Sequence, residues 1–250
     1  MNTLVRTLNH WRTGVRLYIG ITVAAITLEV WWWTHSAYAG TPLYATRMEE
    51  IFAWLSLGMI TTAVFIGPSY KFFPRLPGRR IMFDARRLLG VGGAWFASLH
   101  VAISYASLFQ FANPLSLPTK YQQAFALGTV ALLVLLAMAF TSFDRAFHRL
   151  GIWWFRIHRF VYLALLAILA HAFLIGVHAT KPTVVLILIF LSAALVLFHA
   201  LGQRGKAFSV WRVATLSGST LALILIFIYG FTHQPAVSPA APSTEGNYAQ

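Results

Sequence analysis

The sequence predicts an all-α integral membrane protein of about seven transmembrane helices, and three observations carry that prediction. Of the 250 residues, 58% are apolar and only 10% charged, far from the balance of an ordinary water-soluble domain. Apolar windows near the roughly 20 residues needed to span a bilayer fall at 15–34, 50–68, 87–110, 122–141, 153–178, 182–201 and 211–231. The 19 Lys and Arg residues gather in alternate connections between those windows, as expected when positive charge collects on the cytoplasmic side.

With the N-terminus cytoplasmic, the inner segments hold Arg6, Arg12 and Arg16; Lys71, Arg75, Arg79, Arg80, Arg86 and Arg87; Arg145, Arg149, Arg156 and Arg159; and Arg204, Lys206 and Arg212. The outer segments keep only Arg47, Lys120 and Lys181. Adding or losing one internal helix would scramble this partition. The expected placement is therefore multi-pass in the inner (plasma) membrane, with the C-terminus external. The net charge of +13 reports orientation and contact with anionic lipid. Nucleic-acid binding is not expected, because the basic residues are split among four short segments.

In chain order, residues 1–14 form a cytoplasmic leader. The first helix resembles a secretory signal, with a basic leader, an apolar run and Ala37-Tyr38-Ala39 before Gly40. Its apolar run is longer than a usual signal core and ends in Trp31-Trp32-Trp33, an interfacial belt, so it is read as a retained helix. Residues 15–201 make the main transmembrane domain. Residues 202–231 supply a cytoplasmic loop and one additional helix, and residues 232–250, rich in Pro, Ala and Ser, form a disordered external tail. The absence of cysteine removes disulfides, iron–sulfur clusters, thioether-attached haem and thiol catalysis.

Histidines inside apolar helices need a reason, because an ionisable side chain in hydrocarbon is costly unless it pairs, relays protons or binds something. Neutral imidazole is also a standard axial ligand of haem iron. The run Phe155 to His178 reads as one uninterrupted helix carrying His158, His171 and His178, and the helix from Arg87 to Phe109 carries His100. His100 lies fourteen residues past Arg86 and His171 twelve past Arg159, each roughly 20 Å of rise, so the two share a depth and can ligate one iron. Gly93, Ala97, Ser104 and Ser107 share the His100 stripe, and Ala164 and Ala167 take corresponding positions beside His171. Such small residues either leave room for a flat macrocycle or permit close helix packing.

His158 lies about 20 Å below His171 on the same helix, at an angle of about 140° from it. It either ligates a second, inner haem, with His199 as a depth-matched partner, or is an interfacial residue hydrogen-bonded to a neighbour. His178 sits at the outer rim. Glu29, read as the one carboxylate within a span, is either a proton or quinone contact or reaches water. Arg87 and Arg159 are either ordinary inside anchors or hold haem propionates or the phosphate of a flavin such as FMN, since arginine pairs bidentately with such oxyanions.

The segments RRLLGVGGAWFASLH, Arg86 to His100, and AFTSFDRAFHRLGIWWFRIHRFVYLALLAILAH, Ala139 to His171, resemble the ferric reductase-like transmembrane superfamily, and most closely its MsrQ branch of haem-binding membrane subunits. Three features carry the likeness: an Arg-Arg-x-Leu-Gly entry before the third-helix histidine, the Thr-Ser that closes helix four, and a His-x12-His helix after a Leu-Gly-x-x-Trp turn. The resemblance implies a six-helix core with one extra C-terminal helix, and gives His100, His158 and His171 the places of the family's haem histidines. It implies one haem b at least, two if His158 ligates. It also implies a cytoplasmic electron donor (flavin, flavin reductase or quinol) and a periplasmic reductase subunit as partner. Helix two, EEIFAWLSLGMITTAVFIGPSY, departs from the family pattern, and a single histidine on helix three does not suit a symmetric two-haem stack.

The sequence is thus read as a b-type cytochrome passing electrons outward, an electron-transfer subunit rather than a complete enzyme. The alternative is a haem-free membrane assembly or anchor subunit. A retinal protein is disfavoured because helix seven holds no Lys, and a transporter because the spans, Glu29 aside, show no buried acids.

Overall fold

The computed structural model describes residues 2–75 and 77–175. The expected helices at 182–201 and 211–231, the tail, His178 and His199 lie outside the described residues. Among the described residues the secondary structure is helical: α1 (Asn2–Tyr38), α2 (Leu43–Phe72), α3 (Arg79–Ile103), α4 (Thr119–Phe140), α5 (Asp144–Leu150), α6 (Ile152–Arg159) and α7 (Val161–Ile175). A π-helical turn at Ser104–Leu108 extends α3, and a 3-10 turn at Pro114–Ser116 precedes α4. Among the described residues, five segments are long and apolar enough to cross a membrane: Leu17–Tyr38, Leu43–Gly67, Arg79–Leu108, Thr119–Phe140 and Ile152–Ile175. These match the first five windows read from the sequence.

Two boundaries differ from expectation, with consequences at the site. The second helix begins at Leu43 rather than near residue 50, which places Glu49 and Glu50 inside a span, so Glu29 is not the one carboxylate within the spans. The run expected to be continuous from Phe155 is interrupted at Phe160, where α6 ends and α7 begins. The Phe160 N–H bonds to the Ile157 carbonyl at 3.0 Å, a tightened i→i−3 turn, so an angle computed for an ideal helix does not relate His158 to His171.

The connections are dictated locally. Thr141 and Ser142 end α4 by turning their hydroxyls back onto the carbonyls of Ala137 and Met138, at 2.8 and 2.6 Å. Asp144 opens α5, and His148 and Arg149 lie in its last turn, each on the side of the helix dipole that favours its charge. Between α5 and α6, Gly151 takes φ +49°, ψ −117°, a conformation open only to glycine.

Packing follows an up-and-down order. At one end of the bundle, Glu49 of α2 lies beside His100 of α3, and Ala124 of α4 meets His171 of α7. At the other end, the Tyr70 hydroxyl bonds to the Pro77 carbonyl, Arg87 pairs with Asp144, and the Trp154 indole donates to the Thr141 carbonyl. These are called below the histidine end and the arginine end. Between them, Ile60, Val64, Ala94, Leu135, Val161 and Ala164 form one core cluster, and Leu57, Leu165 and Leu169 a second. In lipid such a core is held by close packing rather than by the hydrophobic effect.

The tightest approach joins α2 and α3. The Ser56 hydroxyl donates to the Gly93 carbonyl at 2.9 Å, and a Cβ at Gly93 would lie 2.6 Å from Ile60 Cγ1. Gly93 therefore serves helix packing, as does the fully buried Ala164; neither leaves room for a macrocycle. Because Cγ1 sits close to the backbone of a buried side chain, it has little freedom to yield. Gly93→Ala is expected to destabilise the bundle by about 1–3 kcal/mol, read as a lowered thermal midpoint in detergent, with part of the loss recovered when Ile60→Ala is added.

Candidate functional site

The fold brings the two depth-matched histidines together. The ring centres of His100, on α3, and His171, on α7, are 6.1 Å apart with planes at 88°. His171 Nδ1 lies 2.7 Å from the Ala124 carbonyl oxygen. A carbonyl only accepts, so Nδ1 carries the proton and the Nε2 lone pair is left available. His100 follows the same logic: its Nδ1 meets the Glu49 carbonyl at 3.1 Å and the Glu49 carboxylate Oε2 at 2.7 Å. Neither Nε2 has a hydrogen-bond partner among the described residues.

Each ring is seated by neighbours that the fold supplies. A Cβ at Gly128 of α4 would come within 2.9 Å of His171 Nδ1, so the missing side chain is what lets α4 offer its Ala124 carbonyl at hydrogen-bond distance. On the other side, α3 widens into its π-helical turn directly after His100. There Ser104 Oγ lies 2.8 Å from the His100 carbonyl and 3.1 Å from Glu49 Oε2. Single π-helical turns inside α-helices frequently mark functional positions. Glu50, next to Glu49, turns instead to Arg47 at 2.9 Å.

Two imidazoles with their Nδ1 atoms anchored and, among the described residues, no hydrogen-bond partner on Nε2 could serve as ligands for one metal. A metal–imidazole bond of about 2 Å, plus roughly 1 Å from nitrogen to ring centre, puts two axial rings about 6 Å apart across the metal. The observed 6.1 Å meets that requirement. Among the described residues no three His, Cys, Asp or Glu side chains converge on one point. The remaining ligands of a six-coordinate ion would then come from a macrocycle, and the residues present fit a haem.

The other expected site residues are placed elsewhere. His158 lies at the arginine end, stacked on Trp154 with ring centres 3.8 Å apart; its Nδ1 is 3.0 Å from the Trp154 carbonyl and its Nε2 3.4 Å from Ser142 Oγ. Among the described residues no second histidine is in ring contact with it. Arg87 pairs with Asp144 at 2.8 Å and donates to the Ser142 carbonyl, so it joins α3 to the turn between α4 and α5. Arg159 and Glu29 are exposed. Glu49 and Gly128 were not among the residues expected at the site. Glu49 fell just before the apolar window, and a lone glycine within an apolar run gives no sign of what it faces.

The family pattern described as the ferric reductase like transmembrane component matches residues 52–169. A protein-methionine-sulfoxide reductase heme-binding subunit MsrQ of Pectobacterium carotovorum is 34% identical over 171 residues, covering 67% of this chain and 79% of the relative. The chain belongs to the MsrQ family of ferric reductase-like membrane proteins. MsrQ of Pectobacterium atrosepticum aligns to the same extent, and that of Cronobacter sakazakii is 30% identical over 142 residues, 55% of this chain and 68% of the relative. No solved structure matches the chain. In this chain, Glu49 and His171 lie just beyond the residues of the family pattern, while His100 and His158 lie within it.

The arginine-end contacts predict an asymmetry. Arg87→Ala loses both the Asp144 carboxylate and the Ser142 carbonyl, whereas Asp144→Ala loses an ion pair whose acid is half-exposed, and exposed pairs contribute little. Thermal unfolding should show the larger drop for Arg87→Ala.

Proposed function

We propose that this chain is a membrane b-type cytochrome, the haem-binding electron-transfer subunit of a methionine sulfoxide reductase system. It would carry electrons from a cytoplasmic reductant to a periplasmic reductase partner. The observation that carries this reading is the His100–His171 pair, 6.1 Å between ring centres with both Nδ1 atoms anchored on the protein. The names of the aligned relatives, heme-binding subunits of methionine sulfoxide reductase, support it from an independent direction.

A haem held there supplies a one-electron carrier whose potential is set by its axial ligands, their hydrogen bonds and burial. His100 and His171 would hold it from both sides, which suits outer-sphere electron transfer to an acceptor bound elsewhere, at the partner. Ala124 and Glu49 hold the rings in their Nδ1–H tautomers, and Gly128 keeps α4 close enough to do so. At the arginine end, the basic residues of α3, α5 and α6 suit a cytoplasmic face and an anionic donor such as FMN or a flavoprotein; quinol is the alternative donor. Arg87 and Arg159 belong to that face.

Protein purified in mild detergent should give a reduced-minus-oxidised spectrum of b type, with one haem per chain by pyridine haemochrome. His100→Ala and His171→Ala should each abolish it. A count of two, falling to one in His158→Ala, would assign a second haem to the arginine end. A wild type that stays haem-free after reconstitution would leave the membrane-anchor role instead. Gly128→Val should reduce haem content several-fold while the protein stays in the membrane fraction, because its side chain occupies the space of the His171 ring.

A further inference from the structure

The two histidines are not held alike. His171 Nδ1 meets a neutral backbone carbonyl, that of Ala124, at 2.7 Å. His100 Nδ1 bonds likewise to a backbone carbonyl, that of Glu49, at 3.1 Å, but it also lies 2.7 Å from an acidic side chain, Glu49 Oε2. The Glu49 side chain is only 16% exposed, where screening by water is weak and a charge acts more strongly than at a surface. Its neighbour Glu50 takes Arg47, and the other group on Glu49 Oε2 is the neutral Ser104 hydroxyl at 3.1 Å.

We propose that Glu49 is a positioning residue that lowers the reduction potential of the haem ligated by His100. The inference rests on the haem reading above and adds to it a specific residue and a direction. A carboxylate 2.7 Å from Nδ1, beside the Glu49 carbonyl that accepts its proton, makes the imidazole a stronger donor through Nε2 by its negative charge. Stronger donation favours the ferric iron, which carries one more positive charge than the ferrous. A backbone carbonyl does this far less, so the His100 side sets the potential and the His171 side holds geometry. A low-potential haem at the histidine end passes its electron onward more readily. Ser104 moderates the effect, because a hydroxyl on the same carboxylate oxygen draws electron density from it.

Glu49→Gln keeps an oxygen acceptor for Nδ1 but removes the charge. Redox titration of the purified protein should then show a shift toward the ferrous form of tenfold or more in the reduction equilibrium, about 59 mV higher for one electron, at unchanged haem content. Ser104→Ala should move the potential the opposite way, by a few-fold. A Glu49→Gln protein that holds its haem at the wild-type potential would overturn the proposal and leave Glu49 as a link between α2 and α3. If Glu49→Gln fails to hold haem, Ser104→Ala decides: a lower potential supports the proposal and an unchanged one overturns it. Failure of the haem reading itself would be seen separately, as a wild type with no haem to titrate.

Discussion

An imidazole inside hydrocarbon with only one ring nitrogen bonded to the protein must find a use for the other. That constraint organises the histidine end of this bundle. Ala124, Glu49, Gly128 and the π-helical turn at Ser104–Leu108 each act on one of two rings, and each leaves the same nitrogen, Nε2, for something else. Helix α3 reaches His100 only after its glycine-tight contact with α2. Helix α7 reaches His171 only because α4 has no side chain at residue 128.

The arginine end is built on another principle. It is tied by an ion pair, by backbone carbonyls accepting from Arg87, Tyr70 and Trp154, and by a cation–π contact of Arg156 over Trp153 at 4.5 Å. These contacts tolerate water and suit an interface. Polar groups at the two ends thus do different work. Among the described residues, one end keeps a pair of nitrogens without protein partners, while the other gathers positive charge, which suits the anionic donor proposed above.

Much of this could be read in the sequence because the period of a helix and the thickness of a bilayer are fixed. Counting residues from the basic helix ends put His100 and His171 at one depth, and the fold sets their rings in contact. The first five spans followed from the same arithmetic. Depth says nothing of azimuth, however, and contacts between helices depend on azimuth. Gly93 shares the His100 stripe yet faces Ile60, and Gly128 gave no sign that it faces His171. Glu49 was hidden by its hydropathy: a charged pair at the start of a helix reads as loop until a partner within the bundle is known. The interruption at Phe160 escaped notice because an apolar run carries no signal for a single i→i−3 turn.

If His100 and His171 hold one iron between them, their rings would do so with planes at 88°. Low-temperature electron paramagnetic resonance of the oxidised protein tests it most directly, because perpendicular axial imidazoles give a highly anisotropic low-spin ferric signal dominated by one large g feature. That signal in the wild type, absent from His100→Ala and His171→Ala, is the predicted result. A high-spin signal from the wild type, or a low-spin signal that survives either substitution, would contradict the account.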